Sequence, residues 1–189
     1  MIYVVGVFVV VLFFPFLFVL VQYNQLVGLR NHIQNAWSNI DSELQRRYDL
    51  IPNLVETVKG YAAHEKEVLE QVTSLRNQCV DNRGPIASQA MDESLLVAAL
   101  ERLFVVVESY PQLKSDQNYL LLQRELINTE DRIQAARRFF NGNVRDYRDK
   151  LYMFPTNLLA QLFGFEDLGY FEVKPSVRDV PNVDFESDR

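Results

Sequence analysis

The first stretch of the chain limits its fold more than any other feature, because Met1 to Val21 contains no charged side chain. About 21 apolar residues, at 1.5 Å each, are enough for a helix to cross the roughly 30 Å hydrocarbon core of a bilayer. A cleaved signal peptide would need a basic region, a shorter apolar stretch and a small-residue cleavage site, and the sequence shows none of these. We therefore predict an uncleaved transmembrane anchor over residues 1–22, with the lipid bilayer as the partner of residues 1–21.

The distribution of basic residues indicates the orientation of this anchor. No Lys or Arg precedes the apolar segment, whereas Arg30 follows it closely and Arg46 and Arg47 lie further along. Because basic residues accumulate on the cytoplasmic side, this asymmetry predicts a single-pass protein with a cytoplasmic C-terminal domain.

Composition narrows the classes of partner and of site. The net charge is −6 and the pI is near 5.0, so the chain lacks the basic surface that binding to nucleic acid requires. Nucleic acid is therefore excluded as an expected partner. Cys79 is the only cysteine, which rules out an internal disulfide and a cysteine-based zinc site. We expect a half-buried, unreactive thiol near a helix end.

Apolar residues recur in steps of three and four from Leu26 to Val72, and only Glu65 interrupts the pattern. This period predicts one long amphipathic helix of about fifty residues and about 75 Å. Pro52 removes a backbone hydrogen bond, so a kink or short break is expected around Leu50 to Pro52.

Turn-forming residues between Asp81 and Pro85 predict a reversal of the chain. A second helix carries apolar residues from Leu96 to Tyr110, and a third from Tyr119 to Leu151. A short closing helix is expected between Phe154 and Phe163. The predicted fold is all-α: a transmembrane helix, then an elongated antiparallel bundle of three long helices and a short closing helix over residues 23–164.

The C-terminal residues 165–189 show no helical period and mix aromatic, acidic and proline residues. We expect a largely extended tail whose first part packs against the bundle and whose last dozen residues are disordered or extended. The aromatic residues expected to hold its first part in place are Phe163, Phe165, Tyr170 and Phe171.

Three blocks of sequence carry a resemblance to a known family. They are YNQLVGLRNHIQNAWSNIDSELQRRYDLIPNLVETVKGYAAHE (23–65), ESYPQLKSDQNYLLLQRELINTEDRIQAARRFFNGNVRDY (108–147) and FPTNLLAQLFGF (154–165). In this order and spacing they resemble the LemA family of bacterial membrane proteins. The resemblance implies one membrane helix, a cytoplasmic helical bundle and a poorly defined molecular role.

Two segments depart from the usual family pattern: SLRNQCV (74–80) and NGNVRDYRDK (141–150). These departures are compatible with a specialised branch of the family. One such branch, in magnetosome-forming bacteria, supports the building of an organelle membrane, and membership of that branch is kept as an alternative. The resemblance thus implies a location in the bacterial inner membrane or an internal membrane derived from it.

No sequence motif for catalysis, cofactor binding or metal binding is present, so none of these sites is predicted. A carboxylate-bridged metal pair in a bundle would need Glu-x-x-His motifs on two helices, and they are absent. The remaining alternative is a membrane-tethered, metal-dependent enzyme or factor that uses His64, Glu65 and Glu67 with acids of the third helix.

The densest group of charges beside a predicted helix break is the candidate interaction surface. Solvated ion pairs on an exposed helix face would explain the same pattern. The hypothesis is a non-enzymatic scaffold or adaptor that self-associates and binds other membrane or cytoplasmic proteins. The candidate residues are Arg46, Arg47, Asp49, Pro52, Glu56 and Lys59.

Overall fold

The structure is a computed structural model that describes residues 2–172 of the chain, and the side chains of residues 13–172. This part of the chain forms six helices and no strand, which confirms the all-α prediction. The helices are α1 (Ile2–Tyr61), α2 (Lys66–Asp81), α3 (Ile86–Val107), α4 (Pro111–Lys114), α5 (Gln117–Tyr152) and α6 (Thr156–Leu162).

Helix α1 continues through Pro52. Of the kink or short break predicted around Leu50 to Pro52, the break is therefore absent. Proline has no N–H, which leaves the carbonyl of Tyr48 without its usual donor one turn later. In the structure Arg76 of α2 supplies that donor, with its Nε 3.1 Å from the Tyr48 carbonyl oxygen. A side chain from a neighbouring helix thus replaces the hydrogen bond that Pro52 removes.

The helix ends instead at Tyr61, and Ala62 to Glu65 form a turn. The single helix predicted from Leu26 to Val72 is therefore wrong, because α2 is a separate helix that folds back beside α1. Arg76 lies opposite Tyr48, so the two helices run antiparallel. The bundle consequently has four helices of sixteen residues or more where three were predicted.

The second reversal lies where the sequence predicted it. Helix α2 ends at Asp81 and α3 begins directly after Pro85. Asn82 organises this turn, because its Oδ1 accepts from the Gly84 N–H at 2.8 Å and its Nδ2 donates to Asp92 at 2.6 Å. The predicted turn and second helix are confirmed.

Pro111, which directly follows the predicted second helix, begins the one-turn helix α4. Asp116 then caps α5, since its carboxylate accepts from the Tyr119 N–H at 2.9 Å. Helix α5 runs antiparallel to α1: Arg46 pairs with Glu125 near one end, and the Trp37 ring contacts Phe140 further along. The predicted third helix and closing helix are confirmed as α5 and α6.

The chain after α6 returns along the α1–α5 pair. Phe171 is buried against Trp37, with ring centroids 5.5 Å apart. Asn141 fixes its backbone by accepting from the Phe171 N–H at 2.9 Å and donating to its carbonyl at 3.2 Å. Phe163 and Phe165 contact Tyr23. The predicted packing of these aromatic residues is therefore observed, whereas the last dozen residues lie outside the described part.

Within the part of the chain whose side chains are described, no helix is long and apolar enough to cross a membrane. The predicted anchor over residues 1–22 depends on Met1 and on the side chains of residues 2–12, which lie outside the described residues. Downstream of this segment, Leu26 is the first residue of α1 that is buried in the core.

Candidate functional site

Five of the six predicted surface residues are exposed, and the sixth is not. Asp49, Pro52, Glu56 and Lys59 follow one another at steps of three and four along the outer face of α1. Asp49 accepts a hydrogen bond from Gln45 at 2.9 Å. These four residues share one side of the helix and form an exposed strip of three charged residues and Pro52, which we call the polar strip.

Arg46 lies beside this strip and faces α5. Its guanidinium is 2.7 Å from the Glu125 carboxylate, and about half of the Arg46 side chain is exposed. An ion pair in this setting contributes at most about 1 kcal/mol, because water and salt screen it. Arg46 therefore remains able to exchange Glu125 for a carboxylate of another molecule.

Arg47 is in the interior of the bundle, where only 2% of its surface is exposed. Its guanidinium donates to Glu93 of α3 and, at 2.8 Å, to Glu130 of α5. Glu93 also accepts from the Tyr48 hydroxyl and is itself buried. Three helices thus meet at one charge cluster, which is buried except at Glu130, where the side chain is 34% exposed. We call it the Arg47 cluster: Arg47, Tyr48, Glu93 and Glu130.

Burial governs the ionisation of this cluster. Loss of hydration lowers the pKa of Arg47, while Glu130 acts in the opposite direction. Burial also raises the pKa of Tyr48 well above its usual value, so its hydroxyl remains a donor to Glu93. An arginine stays protonated in proteins, so the cluster holds a buried positive charge between helices. Its hydrogen bonds to two carboxylates link α1 to α3 and α5.

Cys79 lies next to this region and was expected to be unreactive. Burial raises the pKa of its thiol to about 11, and the residue is 7% exposed. A protonated, inaccessible thiol is a poor nucleophile. The cysteine therefore acts as part of the core.

An open groove of about 190 Å³ runs between α3 and α5 above Arg47. This volume is below the roughly 300 Å³ that small-molecule sites commonly reach. No pattern in the sequence indicates the groove, because its two walls are separated by the whole of α4 and the turns beside it. Its remaining lining residues are Val97, Leu100, Glu101, Phe104, Leu126, Ile127, Glu130 and Asp131.

The residues of the metal alternative lie at the turn between α1 and α2. His64 and Glu67 are exposed, and Glu65 accepts a hydrogen bond from the Tyr110 hydroxyl at 2.9 Å. Among the described residues no three His, Cys, Asp or Glu side chains come together in a group that could hold a metal ion.

A second surface differs in character, because it is apolar. The side chains of α1 between Phe13 and Val21 stand clear of the bundle and are mostly exposed; Phe14, for example, is 63% exposed. At the same end of the molecule, Thr156 of α6 donates to the Gln22 side chain at 3.3 Å. The molecule thus has one apolar end and one polar, turn-containing end.

Fold and surfaces together define an elongated, antiparallel all-helical bundle whose longest helix extends beyond the core as an exposed apolar segment. Residues 36–185 match the LemA family. The chain belongs to the LemA family, as the sequence resemblance indicated.

Individual relatives support this assignment. The chain is 31% identical over 182 residues to the magnetosome protein MamQ of Magnetospirillum gryphiswaldense, covering 83% of this chain and 67% of that protein. It is 32% identical to the magnetosome protein MamQ 2 of Paramagnetospirillum magneticum, with the same coverage. It is 31% identical over 153 residues to the protein LemA of Metamycoplasma hominis, covering 79% and 68%. Sequence identity is therefore the same, within one per cent, to the MamQ proteins and to the LemA protein.

Proposed function

We propose that this protein is a non-enzymatic scaffold or adaptor, anchored in a bacterial membrane by residues 1–21, with its bundle on the cytoplasmic side. The exposed apolar face of α1 carries the proposal. Phe13, Phe14 and Phe16 are each more than half exposed on a helix that has not yet entered the core. A contiguous patch of this kind is unfavourable in water and favourable in hydrocarbon.

The continuity of α1 supports the same role. One helix joins the apolar segment to the core position Leu26 without interruption. The bundle would thus be held rigidly at the membrane, and the polar strip of Asp49, Pro52, Glu56 and Lys59 would face the cytoplasm for contacts with partner proteins. Arg47, in contrast, stabilises the bundle and is removed from the proposed interaction surface.

The anchor is tested by fractionation. Full-length protein should stay in the membrane pellet after extraction with alkaline carbonate, and a variant that begins at Tyr23 should become soluble. Val11→Arg, at the middle of residues 1–21, should weaken retention, since a charge at the centre of a membrane helix costs about 3 kcal/mol. Leu121→Arg, at an exposed leucine of α5, is the matched control. Release of the full-length protein by carbonate would disprove the anchor.

The scaffold is tested by its contacts. We expect the full-length protein to self-associate, so light scattering in mild detergent should give a defined oligomer. Photo-crosslinkers at Glu56 should capture the same protein partner repeatedly in native membranes. Crosslinkers at exposed Asn24, near the apolar segment, serve as the control. Monomers with no reproducible crosslinked product would contradict a scaffold.

Organisation of an internal membrane is a specific form of this role that the relatives support, since two of the three relatives described above are named magnetosome proteins. A fluorescent fusion expressed in Magnetospirillum gryphiswaldense should then follow the magnetosomes. An even distribution over the cell membrane would favour a general role in the inner membrane.

A further inference from the structure

The corner between α5 and α6 has an unusual surface. From Leu151 to Phe165 the sequence contains no charged residue, although most of this stretch is exposed. Phe154 is 76% exposed and Leu162 is 75% exposed, more than any other large apolar side chain with a described exposure. The exposed apolar residues of this corner are Met153, Phe154, Leu158, Leu162 and Phe163.

This corner has two distinct faces. Thr156 and Ala160 of α6 are buried against the bundle, while Leu158 and Leu162 are exposed on its outer side. Residues four apart lie on the same face of a helix, so these two leucines share one face that the bundle leaves uncovered. Phe154 is exposed just before the helix begins.

The position of the corner along α1 indicates what covers it. Thr156 bonds to Gln22 at 3.3 Å, and the Phe163 ring is 5.1 Å from the Tyr23 ring. Gln22 directly follows Val21, the last residue of the apolar segment. At 1.5 Å per residue, α6 contacts α1 within one helical turn of the point where the predicted hydrocarbon region ends. The two apolar surfaces are thus neighbours.

We propose that α6 and the preceding corner lie in the interface of the lipid bilayer, where Phe154, Leu158 and Leu162 enter the region between headgroups and acyl chains. Amphipathic helices with exposed aromatic and leucine side chains take this position. The contact would support the bundle at a second point beside the anchor and so fix its tilt. This inference rests on the proposed membrane anchor.

Depth-dependent fluorescence quenching tests this contact. Single cysteines at Leu17, Leu158 and Ser109 are labelled with a small fluorophore in full-length Cys79→Ala protein, reconstituted in phosphatidylcholine nanodiscs at one chain per disc. The Leu17 label, about 6 Å inside the end of the apolar segment, should be quenched by lipids carrying a nitroxide on the acyl chain at that depth. The Leu158 label should be quenched by lipids with a shallow nitroxide. The Ser109 label, at the polar end of the bundle, should be quenched by neither lipid.

The outcomes separate the two proposals. Quenching at Leu17 with none at Leu158 would overturn the interfacial contact and leave the anchor intact. No quenching at either position would overturn both. A Leu158 label that is shielded from aqueous iodide, yet untouched by nitroxide lipids, would mean that another part of the same chain covers this surface and would also overturn the contact.

A charge substitution gives a second test that spares the fold, because Leu162 makes little contact with the bundle. Leu162→Glu should abolish shallow quenching of the Leu158 label and leave quenching at Leu17 unchanged. Leu121→Glu, at a comparably placed exposed leucine far from α6, should change neither. Shallow quenching that persists in the Leu162→Glu variant would contradict the proposed contact.

Discussion

The Nε of Arg76 donates a hydrogen bond to the carbonyl of Tyr48 at 3.1 Å, the carbonyl that Pro52 leaves without a helical donor. This bond joins α2 to α1 at a backbone carbonyl that an internal proline leaves without its helical donor. It also explains why a proline is tolerated in the middle of a long helix.

Arg76→Met should therefore lower the free energy of unfolding by about 1 to 2 kcal/mol, because a carbonyl loses its charged donor. In a Pro52→Ala background the loss should be smaller, since an alanine at this position restores a backbone N–H. Thermal and chemical unfolding followed by circular dichroism would measure both. Arg83→Met, at an exposed arginine beyond the end of α2, is the control, and equal losses in both backgrounds would refute this account.

Arg47→Met should destabilise the protein by about 3 to 5 kcal/mol, because it leaves Glu93 buried without its cation. The double variant Arg47→Met/Glu93→Met should recover part of this loss. Arg46→Met is a matched control on the same helix, where an exposed pair contributes at most about 1 kcal/mol. Equal unfolding energies for the two single variants would show that the Arg47 cluster is unimportant.

The Asp116 cap predicts a dependence of stability on pH. The Tyr119 N–H and the Tyr61 hydroxyl lower the pKa of Asp116. A carboxyl whose pKa is lower in the folded than in the unfolded chain stabilises the protein at any pH above the unfolded pKa, which is about 3.9. This stabilisation is lost as the pH falls through the folded pKa. Asp116→Asn keeps a capping side chain without the charge. Its melting temperature should be below that of the wild type at pH 7, and the difference should vanish in acid; a constant difference would exclude the charge as its cause.

Cys79 should react slowly with thiol reagents in the folded protein. With a pKa of about 11, the thiolate fraction at pH 8 is roughly two orders of magnitude below that of an ordinary cysteine, and burial hinders access further. Ellman's reagent would measure the rate before and after unfolding in guanidinium. A cysteine introduced at exposed Ser74, in a Cys79→Ala background, should react at the ordinary rate in the folded protein. Similar rates for the two cysteines would contradict the burial of Cys79.

Phe171→Ala should release the C-terminal stretch from the bundle and destabilise the protein by about 3 to 5 kcal/mol. Trp37 is the only tryptophan, so its emission should shift to longer wavelength as water reaches the vacated site. Phe139→Ala, at a phenylalanine that is 61% exposed on α5, should leave the emission unchanged. An unchanged spectrum for Phe171→Ala would mean that this residue does not cover Trp37.

The periodicity of apolar residues is sufficient to predict most of the helices. A helix that buries one face needs apolar residues at steps of three and four, whichever helix it packs against. Pro52 alone does not show that the helix continues, since a long-range donor such as Arg76 cannot be predicted from the residues around a proline. The true break has a local signal, because Glu65 falls where the apolar stripe needs a core residue. Sequence reasoning predicts Arg47 at the surface, because its two carboxylate partners are 46 and 83 residues away along the chain.

Helix α1 passes from its apolar segment to Tyr61 without a break, and this gives an anchored bundle a fixed reach. At 1.5 Å per residue, Tyr61 lies about 58 Å along the helix axis from Gln22. A protein that binds the turn at Ala62 to Glu65 would have to extend that far from the lipid headgroups itself. The helix would therefore select partners by their height above the membrane, as a spacer of set length does.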